Sequence, residues 1–373
     1  MVDIQSFTIN PQDMATDYKG NAILGILKGE LEYLNFSRIK IMALMIEAII
    51  KTQTICLWRL CEVINLEAKV SSINRRLQRF ISEVVFDKDQ IAKILFRVCE
   101  VKDEEVFLIL DRTNWKLGQT NINILMLALS WNGKSIPLFW KLMDKRGNSN
   151  LRERIELLEK FKKVFPDVKL AGLLADREFI GEEWFSELNE MGIPFYLRVR
   201  NNFQIQKKGR KQKIKNLFRK LPLNGTKVYH QKRKVLNVPL YISGTKIRTK
   251  FNKIDFCIIV SNVNHDLPLK EYKLRWQIES MFKNMKSSGF DLESTHVTKH
   301  DRLSNLLTLI SIAYVWVLKI GEKLESKMVS SDILKHGRKK MSIFRLGLRH
   351  LRNAIISIKS KALKDYIQIL SYT

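Results

Sequence analysis

The stretch from residue 105 to residue 142, EVFLILDRTNWKLGQTNINILMLALSWNGKSIPLFWKL, decides the fold. It contains three short apolar runs, at Val106–Leu110, Ile122–Trp131 and Ile136–Leu142, separated by polar or glycine-containing turns. Apolar runs of this length between turn residues are typical of β-strands. The stretch therefore predicts three consecutive strands that form a meander.

Helical and strand-like segments alternate after this meander. The pattern predicts helices at Leu151–Phe165 and Gly181–Met191, and strands at Leu170–Ala175, Phe195–Val199 and Phe256–Val260. A meander followed by such alternation indicates a mixed α/β sheet with helices on both faces.

Helices are predicted before residue 100, where apolar residues recur every three or four positions in Ile39–Ile50 and Ile91–Cys99. Between them, Leu57–Ile64 and Val70–Ile81 resemble a helix-turn-helix. The second of these helices carries Arg75, Arg76 and Arg79. Arginines on a helix can face solvent or contact DNA, and the pattern alone leaves both readings open.

The C-terminal part is also predicted to be helical, at Leu269–Met285, Leu303–Leu318 and along the basic tail Lys335–Leu370. The uncharged run Leu303–Leu318 is shorter than the ~20 residues that a membrane span needs, and it contains hydroxyl residues. We expect a buried helix there. The predicted organisation is a helical, DNA-binding region at 1–100, an α/β domain at 101–290 and a helical region at 291–373.

The charge of the chain indicates a polyanionic partner. There are 65 Lys and Arg against 38 Asp and Glu, a formal net charge of +27, and an apolar content of 45% that favours a globular protein. Nucleic acid is the first candidate. A membrane surface is the second, but Met1–Asn10 shows no lipidation signal, signal peptide or basic amphipathic helix. No membrane partner is expected.

The cysteines do not indicate a metal or disulfide framework. Cys56, Cys61, Cys99 and Cys257 form no CxxC pair and have no suitably spaced histidine. We expect reduced cysteines in a cytoplasmic protein.

The segment from residue 191 to residue 254 contains 18 Lys and Arg and no Asp or Glu. It includes strand-like runs such as Lys234–Ile242, so we expect a β-rich insertion at about 201–254. A solvated surface normally mixes charges of both signs, and the absence of acids favours a surface that contacts phosphates. The predicted DNA-binding residues in this insertion are Arg210, Lys211, Lys213 and Arg233.

Two aspartates are predicted at the ends of apolar strands. Asp111 follows the first run in LILDRTNW, and Asp176 follows a later one in LLADREF. A single aspartate in such a place often caps a turn or a helix. Two of them in one predicted sheet favour a shared metal site.

The segment from residue 272 to residue 286, YKLRWQIESMFKNMK, predicts an amphipathic helix. At about 100° per residue, one face carries Tyr272, Arg275, Glu279 and Lys286. The opposite face carries Leu274, Ile278, Met281, Phe282 and Met285. The lone carboxylate is thus flanked by groups that bind phosphate.

Three carboxylates, from Asp111, Asp176 and Glu279, could hold two Mg²⁺ or Mn²⁺ ions about 4 Å apart. Such a pair of ions clamps the attacking and leaving oxygens in phosphoryl transfer. Arg275 and Lys286 would then hold DNA phosphates, and Tyr272 would hydrogen-bond the DNA backbone.

These motifs resemble the DDE transposases of the insertion-sequence-four type, which have a ribonuclease-H-like catalytic domain. The spacing of Tyr272, Arg275, Glu279 and Lys286 matches the family's catalytic-helix signature, and DRTNW and ADREF resemble its two aspartate motifs. The resemblance covers about residues 105 to 290. It implies a bacterial, nucleoid-associated enzyme whose β-rich insertion lies between the second aspartate and the glutamate.

The resemblance also implies the reaction and its partners. Enzymes of this type cut double-stranded DNA at terminal inverted repeats, form and reopen a hairpin, and join the 3′-hydroxyl to target DNA as homodimers in a synaptic complex. A base flipped out for hairpin formation needs an aromatic surface. The candidates here are Trp115, Trp184 and Trp276, each of which could equally lie in a core.

Other protein classes remain as alternatives to a transposase. A catalytically silent, transposase-derived DNA-binding protein would not need Asp111, Asp176 and Glu279. A ribonuclease-H-like host nuclease would hydrolyse DNA without strand transfer, and the Tyr-Arg-Glu-Lys spacing disfavours it. A basic ribosomal or membrane-associated protein has no use for three acids placed in this way.

Overall fold

The computed structural model describes residues 22–101, 105–207, 210–249, 251–326, 341–357 and 361–371, without the side chains of residues 22, 207 and 210. Two features of the sequence therefore lie partly outside the described residues: the start of the predicted tail helix at Lys335, and the side chain of Arg210.

The chain divides into two compact units. One comprises residues Met1–Cys99 and Lys283–Thr373, and the other comprises Glu100–Phe282. The sequence predicted separate helical regions at 1–100 and 291–373, and the structure gathers the described parts of both into one helical unit.

The described residues of the unit Glu100–Phe282 form ten strands. They are β1 (Glu105–Leu117), β2 (Thr120–Trp131), β3 (Lys134–Leu142), β4 (Lys169–Ala175), β5 (Phe195–Val199), β6 (Gln204–Lys207), β7 (Arg210–Lys213), β8 (Thr226–Val235), β9 (Val238–Arg248) and β10 (Ile254–Ser261). Helices are numbered α1 to α12 in chain order. Those of this unit are α6 (Leu151–Val164), α7 (Glu182–Glu190), α8 (Pro268–Lys273) and α9 (Trp276–Lys283). Helix α9 ends at the boundary of the unit.

All the strands belong to one sheet in the order β3-β2-β1-β4-β5-β10-β9-β8-β6-β7. The first three form the predicted antiparallel meander, and β4 and β5 run parallel to β1. This is the predicted ribonuclease-H-like α/β fold. The β-rich insertion extends the same sheet through β6 to β9, and β10 rejoins β5.

Local sequence explains the turns that build the meander. Asn132 and Gly133 join β2 to β3 with φ values of 45° and 76°. Asn-Gly is the residue pair that a two-residue hairpin with positive φ at both positions favours. Asn150 then caps α6 together with Glu153 in a capping box, so that α6 begins at Leu151.

The prediction that Asp111 ends its strand is wrong. β1 continues to Leu117, so Asp111 lies in the middle of this strand, where it pairs with Met126 of β2. Beyond Asp111 the buried side chains of Thr113 and Trp115 continue the alternation of the strand, which keeps the hairpin with β2 paired. The pairing of β1 with β4, in contrast, stops at Leu110 and Ala175.

The helical unit contains α1 (Ala22–Glu30), α2 (Phe36–Thr52), α3 (Leu57–Val63), α4 (Val70–Glu83), α5 (Lys88–Val98), α10 (His300–Glu325), α11 (Ile343–Ile356) and α12 (Lys361–Ser371). Helix α10 lies at its centre and contacts α2, α4, α5, α11 and α12. By length and composition α10 is the one described helix that could span a membrane, yet its most apolar window is entirely buried in the protein. The prediction of a buried helix at Leu303–Leu318 is confirmed.

Two glycines set the distance between α10 and α11. A Cβ atom on Gly347 would lie 1.9 Å from the Val317 carbonyl oxygen, and one on Gly321 would lie 2.1 Å from the Ile343 carbonyl oxygen. No side chain fits at either position, so the two backbones touch directly.

The predicted helix-turn-helix is present as α3, a turn and α4. Helix α4 buries Ile73, Leu77 and Phe80, while Arg75, Arg76 and Arg79 are exposed. The proposed contact of these arginines with DNA stays a prediction.

Candidate active site

Asp111 and Asp176 occupy equivalent positions on two neighbouring parallel strands. Leu110 of β1 lies opposite Ala175 of β4, so each aspartate is the next residue after a paired position. Neighbouring strands are about 4.8 Å apart. The two aspartates therefore lie side by side at the carboxyl end of β4.

The carboxylate of Asp111 is strongly desolvated. Burial raises its pKa from 3.8 to about 6, against the opposing effects of Arg275 and of the Arg112 backbone N–H. The negative charges of Glu178 and Asp176 raise the pKa further. Burial disfavours the ionised form of a carboxylate, and a cation placed beside Asp111 would favour that form.

Arg275 joins Asp111 to Glu279. Its Nη1 donates to Asp111 Oδ2 at 3.1 Å, and its Nη2 donates to Glu279 Oε1 at 2.5 Å. The guanidinium also lies over the rings of Tyr272 and Trp276, at 5.9 and 5.5 Å from their centroids. One buried cation thus holds two of the three predicted metal ligands.

The predicted continuous helix Leu269–Met285 is wrong. Helix α8 ends at Lys273, α9 begins at Trp276, and a π-helical turn follows at Asn284–Ser288. Hydrogen bonds of the i to i+3 type bridge the break, from Gln277 N to Leu274 O and from Ile278 N to Arg275 O.

The break between α8 and α9 changes the direction in which the side chains of Tyr272 and Arg275 point. We expected Tyr272 and Arg275 on a polar, solvent-facing stripe, but only 3% of Tyr272 and 4% of Arg275 is exposed. The Arg275 side chain points inward because its guanidinium contacts two carboxylates and lies over two aromatic rings. Glu279 keeps a half-exposed side chain.

The donor set suits a hard divalent cation in part. Asp111 and Asp176 supply adjacent carboxylate oxygens, which Mg²⁺ and Mn²⁺ prefer. Among the described residues, no three His, Cys, Asp or Glu side chains converge closely enough to enclose an ion. Glu279 would complete the set only by exchanging its contact with Arg275.

A pair of residues that the sequence did not single out connects the two aspartate motifs. Arg112 Nε and Nη2 donate to Glu178 Oε1 and Oε2 at 3.1 and 3.2 Å, and Arg112 also contacts Asn123. Two parallel bonds between a guanidinium and a carboxylate fix the geometry of both groups. Their only sequence signal is that each lies one or two residues after a motif aspartate.

Two of the three predicted base-stacking residues are buried. Trp184 is 1% exposed and Trp115 is 9% exposed, so for these two the structure favours a core position, the alternative that the sequence left open. Trp276 is 57% exposed and keeps its candidacy. Phe251, which the sequence did not single out, is 85% exposed between β9 and β10.

The basic residues predicted to bind DNA lie in different surroundings. Lys211 and Lys213 are exposed on β7, whose first residue is Arg210. Arg233 is half-buried over the Tyr229 ring at 4.9 Å. Lys286 belongs to the helical unit and pairs with Glu293 at 2.8 Å. Their contacts with DNA remain predictions.

A family model described as "Transposase DDE domain" matches residues 102–316, which is more than half of the chain. The chain belongs to this transposase family. DDE transposases cut DNA and generally use divalent metal ions.

The comparison with solved structures found similarity to the piggyBac transposase in a cryo-EM structure of its synaptic complex with hairpin DNA. The TM-score is 0.44 with 14% sequence identity, and the match covers 93% of this chain and 80% of that chain. The fold assignment for this transposase rests on its strand order instead. The comparison with curated proteins found no match.

Proposed function

We propose that this DDE transposase is of the insertion-sequence-four type and cuts DNA at the ends of its own element. Asp111, Asp176 and Glu279 are the proposed catalytic acids. The observation that supports this best is the contact of Arg275 with both Asp111 and Glu279, since it brings the acid of α9 to the aspartates of the sheet.

The same three acids would hold two Mg²⁺ or Mn²⁺ ions. When bound, such ions lower the pKa of an attacking water or 3′-hydroxyl and stabilise the leaving oxygen. The adjacent carboxylates of Asp111 and Asp176 support a cation at this place, because burial disfavours the charged form of Asp111 and a cation beside it would offset that cost.

The remaining residues of the site position the DNA and the acids. Arg275 holds Glu279 near Asp111, and we propose that its guanidinium turns to a DNA phosphate when a cation replaces it. The buried hydroxyl of Tyr272 has no hydrogen-bond partner among the described residues, and we propose that it donates to a phosphate oxygen once the site opens around the DNA. Arg112 and Glu178 hold the two aspartate motifs together.

The wider reaction follows from the family type. We propose a cut-and-paste reaction on terminal inverted repeats, through a hairpin intermediate, with the 3′-hydroxyl joined to target DNA. The transposase would act as a homodimer in a synaptic complex, in the bacterial cytoplasm at the nucleoid. The spacing of Tyr272, Arg275, Glu279 and Lys286 supports this assignment.

Cleavage of a labelled DNA fragment that carries the sequence flanking the gene tests the proposal. The native protein with Mg²⁺ should give 3′-hydroxyl or hairpin products, and Asp176→Ala should bind the fragment without cutting it. Glu183→Gln, an exposed acid on α7, is the control and should cut normally. Binding without cutting by the native protein would favour a silent DNA-binding relative. Cutting of unrelated DNA with no strand transfer would favour a host nuclease.

A further inference from the structure

Four of the eight residues that line a small cavity in the unit Glu100–Phe282 are cationic. The volume of the cavity is about 270 Å³, and it lies where β5 ends. The lining residues that carry charge or amide groups are Arg177, Arg198, Arg200, Lys215, Asn201, Asn202 and Asp255. None of these residues was among the site residues that the sequence predicted.

The positive charge of this cavity is only partly neutralised. Asp255 is its single acid; it lies 3.9 Å from Arg198 Nη2 and accepts a hydrogen bond from the Asn201 amide. Within the described part of the chain, Arg177, Arg200 and Lys215 form no ion pair. Like charges that face one another across a small space repel, and a bound anion would relieve that repulsion.

Phosphate is an anion that fits this chemistry. Guanidinium groups bind phosphate through two parallel hydrogen bonds, and lysine adds a point charge. The volume is at the lower limit for a ligand site and admits one phosphate with part of its sugar. A DNA duplex is too wide to enter, so its phosphates could touch only the rim.

The cavity is next to the candidate active site. Arg177 follows Asp176 in the chain, and its backbone N–H donates to Asp176 Oδ1 at 2.7 Å. On the other side, Arg198 lies close enough to Tyr272 for its charge to act on that hydroxyl. A strand that passes Asp176 can therefore place a neighbouring phosphate in the cavity.

We propose that this cavity binds the phosphodiester of an unpaired DNA strand beside the cut site. The inference rests on the proposed function, because DNA cutting would produce the unpaired strand. It concerns the binding of that strand and assigns no role to the three catalytic acids. It assigns to Arg200 and Lys215 the role of holding a strand after the duplex has opened at the element end.

The test compares two labelled duplexes, one blunt and one with a short single-stranded extension, in EDTA so that nothing is cut. The proteins are the native chain, the double variant Arg200→Ala/Lys215→Ala, and Lys220→Ala as a control. Lys220 is an exposed cation of the same insertion that does not line the cavity. Melting temperatures check that all three are folded.

The native protein should prefer the extended duplex, and the double variant should lose that preference. Its log–log salt slope on extended DNA should fall by about 1.4, from about 0.7 for each of two lost contacts with a single strand. Blunt-duplex binding and the Lys220→Ala control should not change. An unchanged slope and preference in the folded double variant would overturn the proposal.

A second arm distinguishes a strand phosphate from a free phosphate. Inorganic phosphate should displace the extended duplex no better than chloride at equal ionic strength. Saturable displacement by phosphate at much lower concentration would assign the cavity to a free anion instead. Failure of either arm leaves the Asp176→Ala cleavage result untouched, so it is distinguishable from failure of the proposed function.

Discussion

Replacement of Asp111 by Asn should stabilise the unit Glu100–Phe282 at neutral pH. The folded protein raises the pKa of Asp111 from 3.8 to about 6, chiefly through burial. A shift of about 2 pKa units corresponds to about 3 kcal/mol of preference for the protonated form. At neutral pH the ionised carboxylate therefore reduces the free energy of unfolding by up to about that amount. The attraction of Arg275 needs no separate correction, because the pKa of about 6 already includes it.

The sign of this effect sets its pH dependence. Because the folded pKa lies above the unfolded one, the favourable contribution is fully present below pH 3.8 and is lost as the pH rises through about 6. Asn cannot ionise and avoids the loss, while its amide oxygen can still accept from Arg275. The advantage of the variant should be absent near pH 4 and complete above pH 7.

The assay is chemical and thermal unfolding of both proteins in EDTA between pH 4 and pH 8. For a unit of this size, each 1 kcal/mol shifts the melting temperature by roughly 2–4 °C, so a gain of several degrees is expected at pH 7.5. Asp144→Asn, at an exposed position of the same unit, is the control and should show no such trend. An Asp111→Asn variant that is less stable at pH 7.5, or whose difference does not depend on pH, would refute the reasoning.

Three further changes test other parts of the structure. Gly347→Val should lower the melting temperature of the helical unit, since its Cβ would lie 1.9 Å from the Val317 carbonyl oxygen and overpacking costs about 1–3 kcal/mol or more; Arg349→Val, exposed on the same helix, should have little effect. Glu178→Gln should lower the pKa of Asp111, measured by carboxyl NMR, because the Glu178 charge raises it, and an unchanged pKa would contradict that coupling. Tyr272→Phe removes a buried hydroxyl that has no partner within the described residues, so calorimetry should show no loss of stability while titration shows weaker DNA-end binding; a clear loss of stability would mean that the hydroxyl is structurally engaged.

The sequence predicted the parts of the fold that local patterns control. The apolar runs and the turn at Asn132 and Gly133 determine the meander, and alternating helices and strands determine the rest of the sheet. Helix α10 was expected to be buried because its uncharged run is apolar, yet too short and too rich in hydroxyl residues for a membrane span. Such features depend on residues a few positions apart, which is the range that periodicity reports.

The missed features depend on contacts between distant residues. Arg112 meets Glu178 across 66 positions, and Arg275 meets Asp111 across 164. Periodicity placed Arg275 on a solvent-facing stripe because it assumed an unbroken helix. The inward direction of Arg275 follows from the buried carboxylate of Asp111, which no pattern within residues 272–286 reports.

The central claim is that Asp111, Asp176 and Glu279 act together as one metal-dependent cutting site. The most direct measurement is the rate of Mg²⁺-dependent cleavage of the element's own DNA end by Glu279→Gln, beside the native protein and Glu183→Gln. The account predicts normal DNA binding with no detectable cutting by Glu279→Gln and normal cutting by Glu183→Gln. Native-like cutting by Glu279→Gln would contradict the assigned site.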